Sequence, residues 1–165
     1  MAFSNLPQRL GLPLIGTGKA LQQVAALPYV WTDHGLEVAM VTSRARGRWI
    51  VPKGWPEKKR TLRETAAMEA LEEAGLEGDV ADEPVGHFDY PKTMDKGYTV
   101  TCRALVFPLL VRVQRLRWKE KGQRRVVWLP IATAARRADD DDLARLLGEI
   151  AADPWKLADS PHQPD

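Results

Sequence analysis

The chain has 165 residues, with 24 Lys plus Arg against 22 Asp plus Glu, 44% hydrophobic and 28% charged residues, and a single cysteine. These figures exclude a chain disordered throughout, leave room for one domain and little for a second, and rule out an intrachain disulfide framework or a Cys-rich zinc site. No apolar run approaches the roughly 20 residues that span a bilayer, and the start, MAFSNLPQRLGLPLIGTGKA, interrupts its apolar residues too often for a good signal peptide, so a reducing, cytoplasmic setting is the default expectation.

Residues 1–19 carry Pro7, Pro13 and several glycines without a sustained period, and read as a loosely ordered arm ahead of one domain over 20–152. Strand-like runs follow at Gln23–Thr32, Leu36–Ser43, Arg48–Val51, Pro84–Tyr90, Tyr98–Val111 and Gln123–Leu129, several with β-branched or aromatic residues at alternate positions. Asp33-His34-Gly35 fits a hairpin turn between the first two. Leu143, Leu146, Leu147 and Ile150 repeat at helical spacing, and the run Asp139 to Asp142 before them reads as the negatively charged start of that helix rather than as a metal site. The tail over 153–165 is polar and Pro-containing and is expected to fray.

The near-neutral total conceals segregation. Bases dominate 44–63 with Glu57 as the one acid, acids alone occupy 64–83, and bases return over 112–125 with Glu120 as the one exception. Each block taken singly reads as a solvated face. Taken together, basic flanks around carboxylates suit a divalent cation on the acids and a phosphate-rich ligand on the bases.

Between the basic and acidic blocks lies a helix with an unusual charge pattern. Thr61 and Glu64 form a capping box, Ala66 to Ala74 are helix formers, and Gly75 suits the left-handed position beyond the last turn. At about 100° per residue, Glu69, Glu72 and Glu73 share one face, with Ala67, Ala70, Leu71 and Ala74 roughly opposite, ready to pack on a sheet. Like charges at i, i+3 and i+4 cost about 0.2–0.5 kcal/mol per pair. They also sit in the C-terminal half, where the helix dipole disfavours them, and no Lys or Arg lies within a turn. A hard cation such as Mg²⁺ or Mn²⁺ would remove the conflict.

The segment from Gly54 to Leu76 resembles the Nudix box, G-x5-E-x7-R-E-U-x-E-E-x-G-U, with U an apolar residue. Gly54, Glu69, Ala70, Glu72, Glu73, Gly75 and Leu76 match without a gap, while Arg60 and Met68 stand where the pattern has Glu and Arg. In the family those two pair and brace the loop against the helix, so the double departure removes a brace and not the acids; Arg60 is free to pair with Glu64. Glu57 matches an additional acid of many family members. The similarity runs over roughly 23–150, through TSRARGRWIVPKG, VGHFDYPKT, TCRALVFPL and RRVVWLP. RWIVP after Ser43-Arg44, and the basic segment up to Trp128, look most like diphosphoinositol polyphosphate phosphohydrolases; PKG looks more like diadenosine polyphosphate hydrolases.

The resemblance implies an α/β fold, an α-β-α sandwich with a curved mixed β-sheet, and a hydrolase that cleaves a diphosphate by water attack on phosphorus. It implies Glu69, Glu72 and Glu73 as catalytic, metal-holding residues for Mg²⁺ or Mn²⁺, helped by the backbone carbonyl of Lys53 or Gly54, with one of the glutamates accepting the water proton. Ser43, Arg44, Arg48, Lys53, Lys92, Lys96, Arg124 and Arg125 are the candidates for the remaining phosphates. His87, His34, His162 and Cys102 read as structural or solvent-facing. Trp49 and Trp128 read as core or pocket wall, and Trp55 and Trp118 as possible stacking faces for a base. The expected partner is a small phosphorylated substrate. Nucleic acid is disfavoured because the 112–125 block has Trp118 alone as an interleaved aromatic. The alternative is a non-hydrolytic module of the same fold that binds nucleotides or RNA.

Overall fold

A computed structural model describes residues 20–157, so the arm expected over 1–19 and the last eight residues fall outside the described part. Eight strands form one mixed sheet: β1 (Ala20–Thr32), β2 (Gly35–Thr42), β3 (Trp49–Ile50), β4 (Lys53–Gly54), β5 (Leu76–Val80), β6 (Gly86–Thr93), β7 (Thr99–Gln114) and β8 (Val126–Pro130). Three α-helices accompany it: α1 (Leu62–Ala74), α2 (Ile131–Arg137) and α3 (Asp141–Ala152).

The spine is the parallel pair β1 and β7, in register from Ala20↔Thr101 to Tyr29↔Leu110. Buried on both faces, these strands read as near-continuous apolar runs, as a central parallel pair must. Strand alternation then sorts the residues. Val24 and Ala26 of β1 and Phe107 and Leu109 of β7 face α1, where Ala66 and Ala70 meet them. Ala25, Leu27 and Tyr29, with Cys102, Ala104 and Val106, face the other way, toward Leu143, Leu146, Leu147 and Ile150 of α3. Helices therefore cover both faces, which is the expected sandwich. The remaining strands extend the spine on either side: β2 and β4 pair antiparallel with β1, and β5 and β6 with β7.

Local signals produced the elements they announced. Asp33-His34 turns the β1–β2 hairpin, with Thr32 opposite Gly35. In α1 both halves of the capping box are made, Glu64 N donating to Thr61 Oγ1 and Thr61 N to Glu64 Oε2. Gly75 closes the helix at φ 69°, where any other residue would be strained, and the Trp118 ring lies so close that a β-carbon would overlap it. The acids at the start of α3 tie that helix to the sheet, since Asp139, just before it, accepts from Trp49 N and Asp142, in its first turn, from Asp89 N at 2.7 Å.

Three expectations need correction. The buried stripe of α1 is Ala66, Ala70, Glu73 and Ala74, with Thr65; Ala67 and Leu71 are only half-buried and, with Met68, line a separate groove against β5. One glutamate, Glu73, therefore shares the inward stripe with the alanines. Arg60 pairs with Glu57 rather than Glu64, because Glu64 is committed to the capping box. The chain also does not fray directly after Asp153: Pro154–Leu157 forms a 3-10 turn whose Leu157 is fully buried and accepts from the Tyr29 hydroxyl at 3.4 Å.

Candidate active site

The acidic face of α1 opens onto a cavity of about 640 Å³. Of the residues singled out in the sequence, Glu69, Glu72, Glu73, Gly54, Ser43, Arg44, Lys53, Lys92 and Arg124 line it. Their elements converge for reasons already visible in the sheet. Strand β4 pairs with the middle of β1, Val24↔Gly54 and Ala25↔Lys53, which brings the Lys53-Gly54 backbone beside α1. Gly54 lets the Glu69 carboxylate lie directly against its backbone, and a β-carbon there would push that carboxylate aside. Ser43 and Arg44 leave the end of β2 in a tight loop, closed by Ser43 N donating to Arg48 O at 2.8 Å and Arg48 N to Ser43 Oγ at 3.0 Å.

Three of the proposed phosphate ligands do not line the cavity. Arg48 lies in the Ser43 loop, where its charge opposes that of Asp140. Arg125 places its guanidinium over the Trp49 ring, 5.2 Å from the centroid, and its amide donates to Thr42 Oγ1. Lys96 sits exposed in the β6–β7 turn, next to Asp95, which does reach the wall. Of the two tryptophans considered for stacking, Trp55 lines the cavity with Lys92 Nζ 5.8 Å from its centroid. Trp118 does not present a free face: Gly75 packs against one part of the ring and Lys121 Nζ lies 5.1 Å from its centroid.

The structure adds residues that the sequence reading passed over. The loop joining β7 to β8 folds back onto the C-terminal end of α1, with Arg115 N donating to Gly75 O at 2.8 Å and Glu120 N to Glu72 O at 3.0 Å. It delivers Lys119, Glu120, Gln123 and Arg124 to the cavity. Glu120 is the hub of this loop, pairing with Arg44 at 3.3 Å and Arg124 at 3.5 Å. One signal for it was available: it is the single acid in the 112–125 basic run. Gln23 also lines the cavity and accepts from the Tyr90 hydroxyl behind it, and Lys53 Nζ sits 4.6 Å from the centre of the Tyr90 ring.

The same loop answers the charge conflict in α1. Bases absent within a turn in sequence arrive through space: Lys119 Nζ is 3.6 Å from Glu72 Oε2, and Arg124 Nη2 is 3.3 Å from Glu73 Oε1. Farther along, Arg112 pairs with Asp79 and Arg115 with Glu77, each at 2.8 Å. Much of the second basic block is thus paired with the acidic block, which leaves little of it as a phosphate-binding stripe for nucleic acid.

Electrostatics in the cavity are those of buried charge. Glu73 is only 4% exposed, and burial pushes its carboxyl up to about 8, against the pull of Arg124. Glu69 is raised as well, by burial first and then by Glu72. Burial also lowers the Lys53 ammonium to about 8, a fall partly opposed by Glu73. Among the described residues, no three acidic, His or Cys side chains converge as a ready cage for a metal ion, and two of the glutamates are held by protein cations. The donor chemistry nevertheless fits a hard divalent ion. Three carboxylates lie within one turn and a bit of helix, and Glu73 Oε2 is a buried acceptor with no hydrogen-bond partner.

Comparison with known proteins agrees with this geometry. The NUDIX domain family model matches residues 21–148. Nudix hydrolase 21, chloroplastic, of Arabidopsis thaliana is 32% identical over 117 residues, covering 68% of this chain and 57% of its own length. Nudix hydrolase 12, mitochondrial, of the same plant is 32% identical over 118 residues, 70% of this chain and 58% of its own. The chain thus spans somewhat more than half the length of these relatives. In fold it is similar to C. elegans Ap4A hydrolase, with TM-score 0.58 and 16% identity over 81% of this chain and 97% of that one. It is similar also to the NUDIX domain of Shewanella oneidensis NrtR complexed with ADP ribose, with TM-score 0.57 and 17% identity over 88% and 93% of the two chains. By its matched sequence, its mixed sheet between helices and its glutamate-bearing helix, the chain belongs to the NUDIX domain family.

Proposed function

We propose that the protein is a Mg²⁺- or Mn²⁺-dependent diphosphohydrolase acting on a small, multiply phosphorylated substrate, a diphosphoinositol polyphosphate or a dinucleoside polyphosphate. One observation carries this reading: a single cavity is lined both by Glu69, Glu72 and Glu73 of α1 and by the cations Lys53 and Lys92. Glu69, Glu72 and Glu73 would hold the metal, together with the backbone carbonyl of Lys53 or Gly54. When bound, the metal neutralises phosphate oxygens and lowers the pKa of water.

The chain's own residues supply the rest. Lys53, Lys92, Arg44 and Arg124 hold and orient the phosphates through charge-assisted hydrogen bonds, and Ser43 adds a hydroxyl donor. A water oxygen forms a new bond to one phosphorus while the bridging P–O bond breaks and the departing phosphate keeps the electron pair. One of the glutamates accepts the water proton. The half-buried walls around Glu73 and Lys53 keep the dielectric low, which strengthens each of these contacts. Trp55 offers the cavity its aromatic face for a base, where the substrate has one.

Among the described residues no helix is long and apolar enough to cross a membrane, and the cytoplasm remains the default compartment of this reading.

The test is phosphate release with Mg²⁺ or Mn²⁺ across diphosphoinositol polyphosphates, diadenosine polyphosphates, nucleoside triphosphates and nucleotide sugars, with Glu73→Gln as control. Metal-dependent turnover that the substitution abolishes supports the hydrolase. Silence across the panel, with ligands still bound, supports the alternative of a binding module, to which the pairing of Glu72 and Glu73 with protein cations lends weight.

A further inference from the structure

The β7–β8 loop holds two contacts that the diphosphohydrolase reading does not use. Arg124 reaches Glu73, and Lys119 reaches Glu72, so each occupies a carboxylate assigned above to metal. The Arg124 side chain is nearly buried and makes more than one contact: besides Glu73 it donates to Thr42 O at 3.0 Å and lies 3.5 Å from Glu120 Oε1. Its Nε has no partner, and neither has Glu73 Oε2, so the pair is incompletely satisfied as it stands. The loop itself is fastened by other means, through the Glu120 and Arg115 amides and the Trp118 ring on Gly75. Arg124 can therefore let go of Glu73 while the loop stays docked and Thr42 and Glu120 still hold the guanidinium.

We infer that Arg124, with Lys119 in a lesser role, is a resident counter-cation of the acidic face, which occupies Glu73 until a divalent ion takes that carboxylate and frees the guanidinium for phosphate. The inference rests on the metal reading above. It assigns Arg124 a positioning role with two successive partners. Paired with Glu73, it offsets a buried carboxylate that would otherwise face Glu69 and Glu120. Released, the same guanidinium lies in the cavity wall where the substrate's phosphates bind, so loading of the acids and readiness for the anion are coupled. This coupling also fits a helix whose acids have no base within a turn of sequence: a base supplied by a loop can be withdrawn, whereas one built into α1 could not.

The experiment titrates Mn²⁺ into the full chain and follows the free ion by electron paramagnetic resonance, for the natural protein and for Arg124→Met, Lys119→Met and Lys92→Met. Arg124→Met is expected to bind Mn²⁺ about tenfold more tightly, the equivalent of one charge-assisted hydrogen bond no longer competing. Lys119 is 70% exposed, so Lys119→Met should tighten binding only about twofold. Lys92→Met removes the same charge from the same cavity, but Lys92 rests on Trp55, so it should leave the affinity within a factor of about two. Unchanged or weaker binding by Arg124→Met overturns the inference, as does equal tightening by Lys92→Met, which would assign the effect to the general field. Should Arg124→Met fail to fold, Arg124→Lys keeps the charge but not the fork that spans Thr42 O and Glu73, and must then fall between the two affinities. If the natural protein binds no Mn²⁺ at millimolar concentration, the metal reading itself fails. Firm binding with no difference among the variants overturns only the role of Arg124.

Discussion

Replacing Glu73 by Gln should stabilise the metal-free protein, and by more as pH rises. The carboxyl of Glu73 is raised from 4.5 to about 8, chiefly by burial. The folded state therefore holds that proton more tightly than the unfolded chain does. Its stabilising contribution is whole below pH 4.5 and is lost as pH climbs through about 8. Between pH 5 and 8, at about 1.4 kcal/mol per unit, the loss is at most about 4 kcal/mol. Gln does not titrate and keeps an amide oxygen for Arg124, so the variant escapes the loss. For a domain of this size, that corresponds to a melting-temperature gain at pH 8 over the gain at pH 5 of the order of 10 °C. Calorimetry on both proteins in chelator, at several pH values over that range, measures it. With saturating Mg²⁺ the order should invert, because the natural carboxylate then gains a ligand interaction that Gln lacks. A gap that does not change with pH in chelator would refute the claim that burial of this carboxylate is an electrostatic liability.

Gly75→Ala should lower stability by about 2–4 kcal/mol, since it combines a left-handed backbone with overlap against the Trp118 ring; denaturant unfolding reads this directly, and a loss under 0.5 kcal/mol would argue against the close packing. Leu147→Ala, at a fully buried position of α3 against the sheet, should cost about 2–5 kcal/mol and leave the affinity for Mn²⁺ unchanged. Lys53→Met should raise KM about 10- to 100-fold, the loss of one charge-assisted contact to phosphate, with a smaller fall in kcat; steady-state kinetics on the best substrate of the panel would show an unchanged KM if Lys53 were only packed on Tyr90.

What was legible in the sequence was what is local. Helix α1 runs between its Thr61–Glu64 cap and Gly75 as read, because capping and a left-handed terminus are decided within a few residues. The long apolar strands and the α3 stripe emerged for the same reason, their period being carried by consecutive side chains. Three elements left no such trace. Strand β4 is two residues long, β5 is the polar segment LEGDV, and α2 is seven residues rich in alanine, so each exists because a neighbour pairs with it or covers it.

The site divides along the same line. The spacing of Glu69, Glu72 and Glu73 on one helix is a property of the chain itself, fixed by the 3.6-residue turn. Which bases meet those acids is not. Arg124 lies 51 residues from Glu73, and Glu120 showed in sequence only as an exception in a basic run. Their arrival depends on the return of the β7–β8 loop to the end of α1, secured by two amides and a tryptophan on Gly75. Tertiary structure likewise decided that Glu73 turns inward while Glu72 remains half exposed, because Ala66 and Ala70, which share a stripe of α1 with Glu73, are the residues that pack on β1 and β7.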